Sequence, residues 1–129
     1  MPIKSSQTLV QEALSEITTI HSNEALKLFE SNTCNLIDIR DIRELEKEGR
    51  IENSLHIPRG MLEFWVDPKS VYFKNNKLDI NKEMILFCAG GLRSALAAKS
   101  LKEMGFKKVS HVEGGFAAMK ENLFKVIYS

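Results

Sequence analysis

The feature that most constrains this chain is an apolar run that ends in a cysteine and is followed at once by two glycines and an arginine. Residues 84–87 are Met-Ile-Leu-Phe, a continuous apolar stretch typical of a strand buried in a parallel sheet. Cys88 comes next, and a helical pattern begins at Leu92, beside Arg93. This order predicts a thiol at the carboxyl end of a strand, in a tight loop that opens a helix. Open α/β sheets bind their ligands at this place.

A thiol in such a loop has the surroundings that a reactive cysteine needs. The N–H groups of the loop and the positive end of the helix dipole stabilise an anion, and Arg93 adds a positive charge. These groups favour the thiolate of Cys88 and a small anion beside it. A single cysteine after an apolar strand is also a common core residue. Gly90 and Gly91 let several N–H groups converge on one point, which favours reactivity without deciding it.

Helical and strand patterns alternate along the whole chain. Helical spacing predicts helices over residues 8–16, 22–30, 41–48, 61–66, 92–104 and 116–124. Apolar runs predict strands over residues 34–39, 54–57, 84–87 and 108–112. Strands separated by helices imply parallel pairing. We therefore expect an α/β fold with a central, mostly parallel sheet flanked by helices on both faces, formed by a single domain over residues 1–129.

Local signals mark the ends of several elements. Ser22 is the predicted N-cap of the second helix. Gly49 and Gly105 are the predicted stops of two later helices. Asn75 and Asn76 predict a loop tip.

The composition excludes several classes of function. The formal net charge is +1, so no global charge draws the protein to nucleic acid or to an anionic membrane. The first residues contain no apolar stretch like a signal peptide, and no run is long enough to span a bilayer. Cys34 and Cys88 are too few for a secreted disulfide scaffold of this length. We therefore expect a cytoplasmic protein with a reduced Cys88 and with no nucleic-acid or membrane partner.

The histidines and Cys34 offer further candidate chemistry. His56 and His111 each precede a turn at a predicted strand end, where a zinc site would combine them with a cysteine. No pair has ligand spacing such as Cys-x-x-Cys, so we predict no metal site. His21 is assigned to a loop. Cys34 is interpreted as a core residue, and a role as a resolving thiol for Cys88 is the alternative.

Four segments carry a family resemblance. Residues 88–94, Cys-Ala-Gly-Gly-Leu-Arg-Ser, resemble the active-site loop of rhodanese-like sulfurtransferases, which follows the pattern Cys-x-x-Gly-x-Arg-Ser. Residues 36–40 resemble the Asp-x-Arg strand end of that family, and Glu44 matches its acidic position. Residues 49–58 and 112–116 are similar to its Gly-His-Ile-x-Gly-Ala-x-x-Ile-Pro and Gly-Gly-aromatic segments. The four segments follow the family's order, which makes the resemblance specific.

The resemblance implies a rhodanese-like three-layer fold and a sulfurtransferase that needs no cofactor. Cys88 is then the catalytic nucleophile, and it carries the transferred sulfur as a persulfide. Asp38 and Arg40, at the end of a neighbouring strand, are expected to support the site as an ion pair or loop anchor rather than to react. The substrate or anion is bound by the rest of the loop: Ala89, Gly90, Gly91, Leu92, Arg93 and Ser94.

The expected partners follow from that chemistry. The donor is a small molecule such as thiosulfate, or a protein that carries a persulfide. The acceptor is cyanide or a thiol, which again includes a protein thiol. No general base is required, because a thiolate is itself the nucleophile in such exchanges.

The chain departs from the family pattern in two places. In a segment that we expect to be structural, the family's common histidine, glycine and alanine are replaced by Arg50, Asn53 and Ser54. The variable positions of the loop hold Ala89 and Leu92, and neither is charged. Recognition of a charged donor such as thiosulfate is therefore expected to depend on Arg93 and on the backbone N–H groups.

Two other functions are open as alternatives. One is a non-catalytic sulfur carrier or protein-interaction module that receives its persulfide from a partner. The other is a dual-specificity phosphatase or an arsenate reductase. The related phosphatases have five residues between the cysteine and the arginine, whereas four lie between Cys88 and Arg93 here. The shorter loop fits a terminal sulfur better than a phosphoryl group and so favours sulfur transfer.

Overall fold

The fold is built on a sheet of parallel strands. The computed structural model describes residues 2–73 and 77–128, so the predicted loop tip at Asn75 and Asn76 lies outside the described residues. The five strands of the sheet are β1 Thr18–Ile20, β2 Cys34–Asp38, β4 Leu55–His56, β5 Glu83–Phe87 and β6 Val109–Val112. They stand in the order β1, β6, β5, β2, β4, and each neighbouring pair is parallel. A second sheet pairs β3 Arg50–Ile51 with β7 Val126–Ile127 in antiparallel orientation.

Helices cover both faces of the five-stranded sheet. The helices are α1 Ser6–Leu14, α2 Ser22–Glu30, α3 Ile42–Glu48, α4 Leu62–Val66, α5 Leu92–Glu103 and α6 Gly115–Glu121. On β5, Met84 and Leu86 pack with residues of α4 and α5, whereas Ile85 and Phe87 pack with residues of α2 and α6. This alternation is the period of two that a strand imposes, and it confirms the predicted three-layer α/β architecture. Among the described residues, no helix has the length and hydropathy to cross a membrane.

Three strands escaped the sequence-based prediction. The strands β3 and β7 have two residues each and are too short to show a period. The strand β1 has three residues, of which only Ile20 is buried, so its pattern does not stand out from a loop. The predicted last helix is also too long: it ends at Glu121, because Leu123 adopts a left-handed φ of 71° before the buried Phe124.

The two predicted helix stops at glycines are confirmed, whereas the predicted N-cap at Ser22 is wrong. Gly49 is the C-cap of α3, and Gly105 follows α5 with a left-handed φ of 107°. Ser22 is the first residue of α2, and His21 precedes it as N-cap without a side-chain capping bond. The Ser22 hydroxyl is turned to a tertiary contact instead, since it accepts a hydrogen bond from Asn122 Nδ2 at 2.7 Å.

Parallel pairing brings three strand ends to one edge of the sheet. Asp38 at the end of β2 is level with Phe87 at the end of β5. His111, near the end of β6, is level with Leu86 of β5. The residues that follow these strands therefore meet around Cys88.

Helix α6 is fastened directly to the loop that contains Cys88. Phe116 N–H donates to the Cys88 carbonyl at 2.8 Å, and Ala117 N–H reaches the Ala89 carbonyl at 3.4 Å. This close approach depends on Gly115, which has a φ of 57° and leaves no room for a β-carbon beside the Cys88 carbonyl and the Ala89 backbone.

Gly115→Ala is expected to lower the free energy of unfolding by about 2–4 kcal/mol, because a left-handed alanine is strained and its β-carbon collides with the loop. Urea unfolding followed by circular dichroism measures the change. Gly60→Ala is the matched control, since a β-carbon at Gly60 meets nothing within 4 Å. Equal losses in the two variants would contradict this account of how α6 is attached.

Candidate functional site

The thiol of Cys88 lies inside the turn formed by its own loop. The residue is 1% exposed and follows the last residue of β5. Gly91 has a φ of 109° as the N-cap of α5, and this conformation points its N–H back at Cys88 Sγ, 3.1 Å away. The sulfur is therefore held by the backbone of the four-residue turn that precedes Arg93.

Two opposing effects act on the ionisation of Cys88. Burial raises its pKa, because a charged sulfur loses hydration. Hydrogen bonds from the Ser94 side chain and from the N–H groups of Ser94, Gly91 and Gly90 lower it. The hydrogen bonds prevail, so the pKa of Cys88 lies below the ordinary value for a thiol.

A polar chain continues from Cys88 into the sheet. Cys88 Sγ lies 3.6 Å from Ser94 Oγ, which is 2.9 Å from His111 Nδ1. His111 Nε2 lies 2.9 Å from Thr19 Oγ1 on β1. Sequence reasoning considered His111 only as a metal ligand and did not connect it to the thiol, because the strand that carries Thr19 was not predicted.

Arg93 forms an ion pair with the carboxylate of Glu44. Its Nη1 and Nη2 donate to Glu44 Oε2 and Oε1 at 2.8 and 2.9 Å. This pairing holds the pKa of Glu44 down at about 2, and it raises the pKa of Arg93 above its ordinary value, with a smaller contribution from Cys88. The positive charge next to the loop is thus largely compensated, which leaves anion binding mainly to the N–H groups.

Asp38 and Arg40 form a buried ion pair below the loop. Arg40 Nε and Nη2 donate to the Asp38 carboxylate at 2.8–3.1 Å, and Nη2 also donates to the Gly49 carbonyl at 2.9 Å. The two side chains are 0% and 1% exposed. The Arg40 guanidinium lies 3.9 Å over the Phe116 ring, so the pair connects the end of β2 to helix α6.

The remaining loop residues differ in exposure. Gly91 and Ser94 are buried with the thiol, whereas Ala89, Gly90 and Leu92 face the surface. Leu92 is 67% exposed. The two open sides of the loop differ in character: a cleft beside Ala89 is lined by the charged residues of α3 together with Lys120, and a mostly apolar groove beside Leu92 is lined by α1.

Cys34 lies at the other end of the sheet from Cys88. It pairs with Glu83, five residues before Cys88, which is about 16 Å along a strand. A direct disulfide requires α-carbons within about 7 Å, so this geometry does not support the resolving-thiol alternative. Burial raises the pKa of Cys34 to about 11, as expected for an inert core thiol.

No cluster of three or more candidate metal ligands occurs among the described residues. His56 is engaged elsewhere, with Nε2 2.7 Å from the Arg40 carbonyl. His21 lies 3.5 Å from Glu113 at the surface.

The comparison with protein families agrees with this geometry. A model described as Rhodanese-like domain matches residues 21–122, from the start of α2 to the end of α6. The chain belongs to the rhodanese-like domain family. The matched range includes the loop from Cys88 to Ser94, the Asp38–Arg40 pair and His111, but it leaves out α1 and Thr19.

Three similar proteins illustrate the range of the family. A Bacillus subtilis protein named "Putative sulfur carrier protein" is 36% identical over 89 residues, which are 69% of this chain and 43% of that protein. The chain thus spans less than half the length of that relative. The solved polysulfide-sulfur transferase homodimer of Wolinella succinogenes is 31% identical, with a TM-score of 0.74 over 94% of this chain and 85% of that one.

The third is a Rhodopseudomonas palustris protein whose structure is described as one of unknown function and a "possible tyrosine phosphatase". It is 42% identical, with a TM-score of 0.87, and the match covers 98% of this chain and 99% of that one. The match includes α1, which the family model leaves out. The structural match therefore extends over nearly the whole chain, whereas the family model covers residues 21–122.

Asp38→Asn is expected to lower the free energy of unfolding by about 3–5 kcal/mol, because it leaves the buried Arg40 guanidinium without its counter-charge. Urea unfolding measures the loss. Glu63→Gln, which breaks the half-exposed pair with Arg59, should cost less than about 1 kcal/mol. A small loss at Asp38 would show that the pair does not hold this part of the fold.

The two thiols are expected to react at very different rates. At neutral pH iodoacetamide should alkylate Cys88, whose pKa is lowered, much faster than Cys34, whose pKa is about 11. The rate at Cys88 should rise with pH, and the midpoint of this rise should lie below the ordinary thiol pKa. Peptide mass mapping after timed alkylation distinguishes the sites, and faster reaction at Cys34 would contradict the assignment.

Proposed function

We propose that the protein is a sulfurtransferase that moves a sulfane sulfur from thiosulfate or a persulfide donor to a thiol or cyanide, through a persulfide on Cys88. The observation that carries this proposal is the position of Cys88 Sγ inside a turn whose N–H groups and Ser94 lower its pKa. Such a thiolate is both a nucleophile and a good leaving group. Sulfur transfer needs one group with both properties.

The first step is attack of the Cys88 thiolate on the outer sulfur of the donor. A new S–S bond forms at Cys88 while the S–S bond of thiosulfate breaks, and the electron pair leaves with sulfite. The N–H groups from Ala89 to Arg93 stabilise the anionic sulfur in the turn, as an oxyanion hole stabilises oxygen. Gly91 N–H lies 3.1 Å from Cys88 Sγ and is therefore well placed to donate to the anionic sulfur.

The second step regenerates the thiolate. An acceptor thiolate or cyanide attacks the terminal sulfur of the persulfide, its bond to Cys88 Sγ breaks, and the electron pair returns to Cys88. The donors that lower the pKa of Cys88 also stabilise it as the leaving group. The same contacts therefore serve both halves of the reaction.

The roles of the individual site residues follow from these two steps. We assign Cys88 as the catalytic residue and the loop from Ala89 to Ser94 as the anion-binding turn. Asp38 and Arg40 support that turn through Phe116, whose N–H binds the Cys88 carbonyl. A reducing cytoplasm is the compartment that keeps Cys88 available, and both cysteines are free thiols in the structure.

A partner-fed sulfur carrier is the second candidate. Leu92 is 67% exposed next to the thiol, and a groove of mainly apolar lining runs beside it along α1. The Bacillus subtilis relative is named as a sulfur carrier, and it extends well beyond the matched segment. In this case a donor protein, rather than thiosulfate, supplies the sulfur.

A phosphatase is less well supported. The phosphatase description of the Rhodopseudomonas palustris protein is the observation in its favour. Only four residues separate Cys88 from Arg93, and Glu44 occupies both terminal nitrogens of that arginine. A phosphoryl group would have to displace this carboxylate to gain the usual bidentate contact.

Brief treatment of the reduced protein with thiosulfate is expected to add the mass of one sulfur atom, and a reductant should remove it. Intact-mass spectrometry measures the change. Cys34→Ser should gain the same mass and Cys88→Ser none, because only the thiol of Cys88 lies in the turn. Release of sulfite and formation of thiocyanate from added cyanide complete the test.

The outcomes separate the three candidates. Loading by an inorganic polysulfide or a protein persulfide, but not by thiosulfate, would favour the partner-fed carrier. Cys88-dependent hydrolysis of p-nitrophenyl phosphate without any persulfide would favour the phosphatase. Absence of a persulfide with every donor would overturn the sulfur-transfer proposal.

A further inference from the structure

A chain of four side chains links the thiol to the edge strand β1. The contacts are 3.6 Å from Cys88 Sγ to Ser94 Oγ, 2.9 Å from Ser94 Oγ to His111 Nδ1, and 2.9 Å from His111 Nε2 to Thr19 Oγ1. Ser94 is 0% exposed and His111 is 2% exposed. In the proposed transfer steps the Ser94 hydroxyl stabilises the thiolate, whereas the buried His111 has no role.

Counting the hydrogens limits how this chain can be arranged. Ser94 has one O–H, which points either at Cys88 Sγ or at His111 Nδ1. A neutral imidazole has one N–H, on Nδ1 or on Nε2. With the hydrogen on Nε2, Nδ1 is an acceptor that draws the serine O–H away from the sulfur. With the hydrogen on Nδ1, the imidazole donates to Ser94 Oγ and leaves the serine O–H for the thiolate.

We propose that His111 is a positioning residue for Cys88: its Nδ1–H donates to Ser94 Oγ and thereby directs the Ser94 O–H at the thiolate. In this tautomer Nε2 is an acceptor, and Thr19 O–H donates to it. Every donor in the chain then points toward the sulfur. The purpose of the arrangement rests on the proposed function, since a stabilised thiolate serves both transfer steps, but its effect on the thiol can be measured without any sulfur donor.

The surroundings of His111 make the choice of tautomer decisive. Burial lowers the pKa of His111, and the carboxylate of Glu113 acts in the opposite direction without cancelling it. Glu113 itself lies 3.5 Å from His21 at the surface. The neighbouring strands present uncharged residues level with His111, Thr19 from β1 and Leu86 from β5. The imidazole is therefore neutral at neutral pH, where only one of its nitrogens carries a hydrogen.

A matched pair of substitutions tests the proposal. In His111→Asn the amide nitrogen takes the place of Nδ1 and still donates to Ser94, whereas in His111→Gln the amide takes the place of Nε2 and reaches only toward Thr19. Both are made in a Cys34→Ala background, so that Cys88 is the only thiol. The rate of iodoacetamide alkylation is measured from about pH 5 to about pH 10, the range over which thiols titrate, because the rate reports thiolate formation.

We expect His111→Gln to alkylate about tenfold more slowly at neutral pH, with its pH midpoint moved upward, because one hydrogen bond to the thiolate is lost. His111→Asn should stay within about threefold of the parent. Ser94→Ala should slow alkylation at least as much as His111→Gln does. The double variant Ser94→Ala/His111→Gln should be no slower than Ser94→Ala alone, because the histidine acts only through the serine.

Three results would overturn the proposal: an unchanged rate in His111→Gln, equal loss in the asparagine and glutamine variants, or additive losses in the double variant. Circular dichroism and urea midpoints verify that each variant is folded. If His111→Gln does not fold, Thr19→Val at the exposed end of the chain replaces it, and an unchanged alkylation rate there would equally overturn the proposal. If the variants alkylate at the expected rates but the parent protein forms no persulfide with any donor, the proposed function is refuted and the role of His111 stands.

Discussion

The buried pair of Asp38 and Arg40 is the interaction on which the shape of the site depends. Its guanidinium joins the end of β2, the Gly49 carbonyl and the Phe116 ring, so three separate segments meet at one planar group. Phe116 N–H then binds the Cys88 carbonyl. Arg40 has no described contact with the sulfur, yet it helps to hold helix α6 against the loop that contains Cys88.

Two buried cysteines in the same sheet show how location decides thiol chemistry. Cys34 lies within β2, where the backbone N–H groups are used in the strand ladder, and burial raises its pKa to about 11. Cys88 lies one residue beyond β5, where the turn directs Gly91 N–H at the sulfur. Both residues are almost fully buried. The difference therefore comes from donors that a turn can offer and a strand cannot.

The sequence predicted those parts of the molecule that long local patterns define. The buried strand β5, the glycine-rich turn and the amphipathic helix α5 follow from consecutive residues. The pairing of Glu44 with Arg93 did not, because the two residues are 49 positions apart and only the fold brings them together. The role of His111 was hidden for a related reason: its partner Thr19 lies on a three-residue strand that carries almost no periodic signal.

The Glu44–Arg93 pair also bears on how an anionic sulfur donor would be recognised in the proposed reaction. With both terminal nitrogens of Arg93 bound to a carboxylate, this arginine offers an approaching anion little uncompensated charge. The N–H groups of the turn act over a few ångströms, well within the screening length of about 8 Å at physiological salt. In the proposed sulfur transfer, an anionic donor is therefore recognised when it contacts the turn. Recognition of such a donor is then a matter of its fit within the turn, where the N–H groups can reach it.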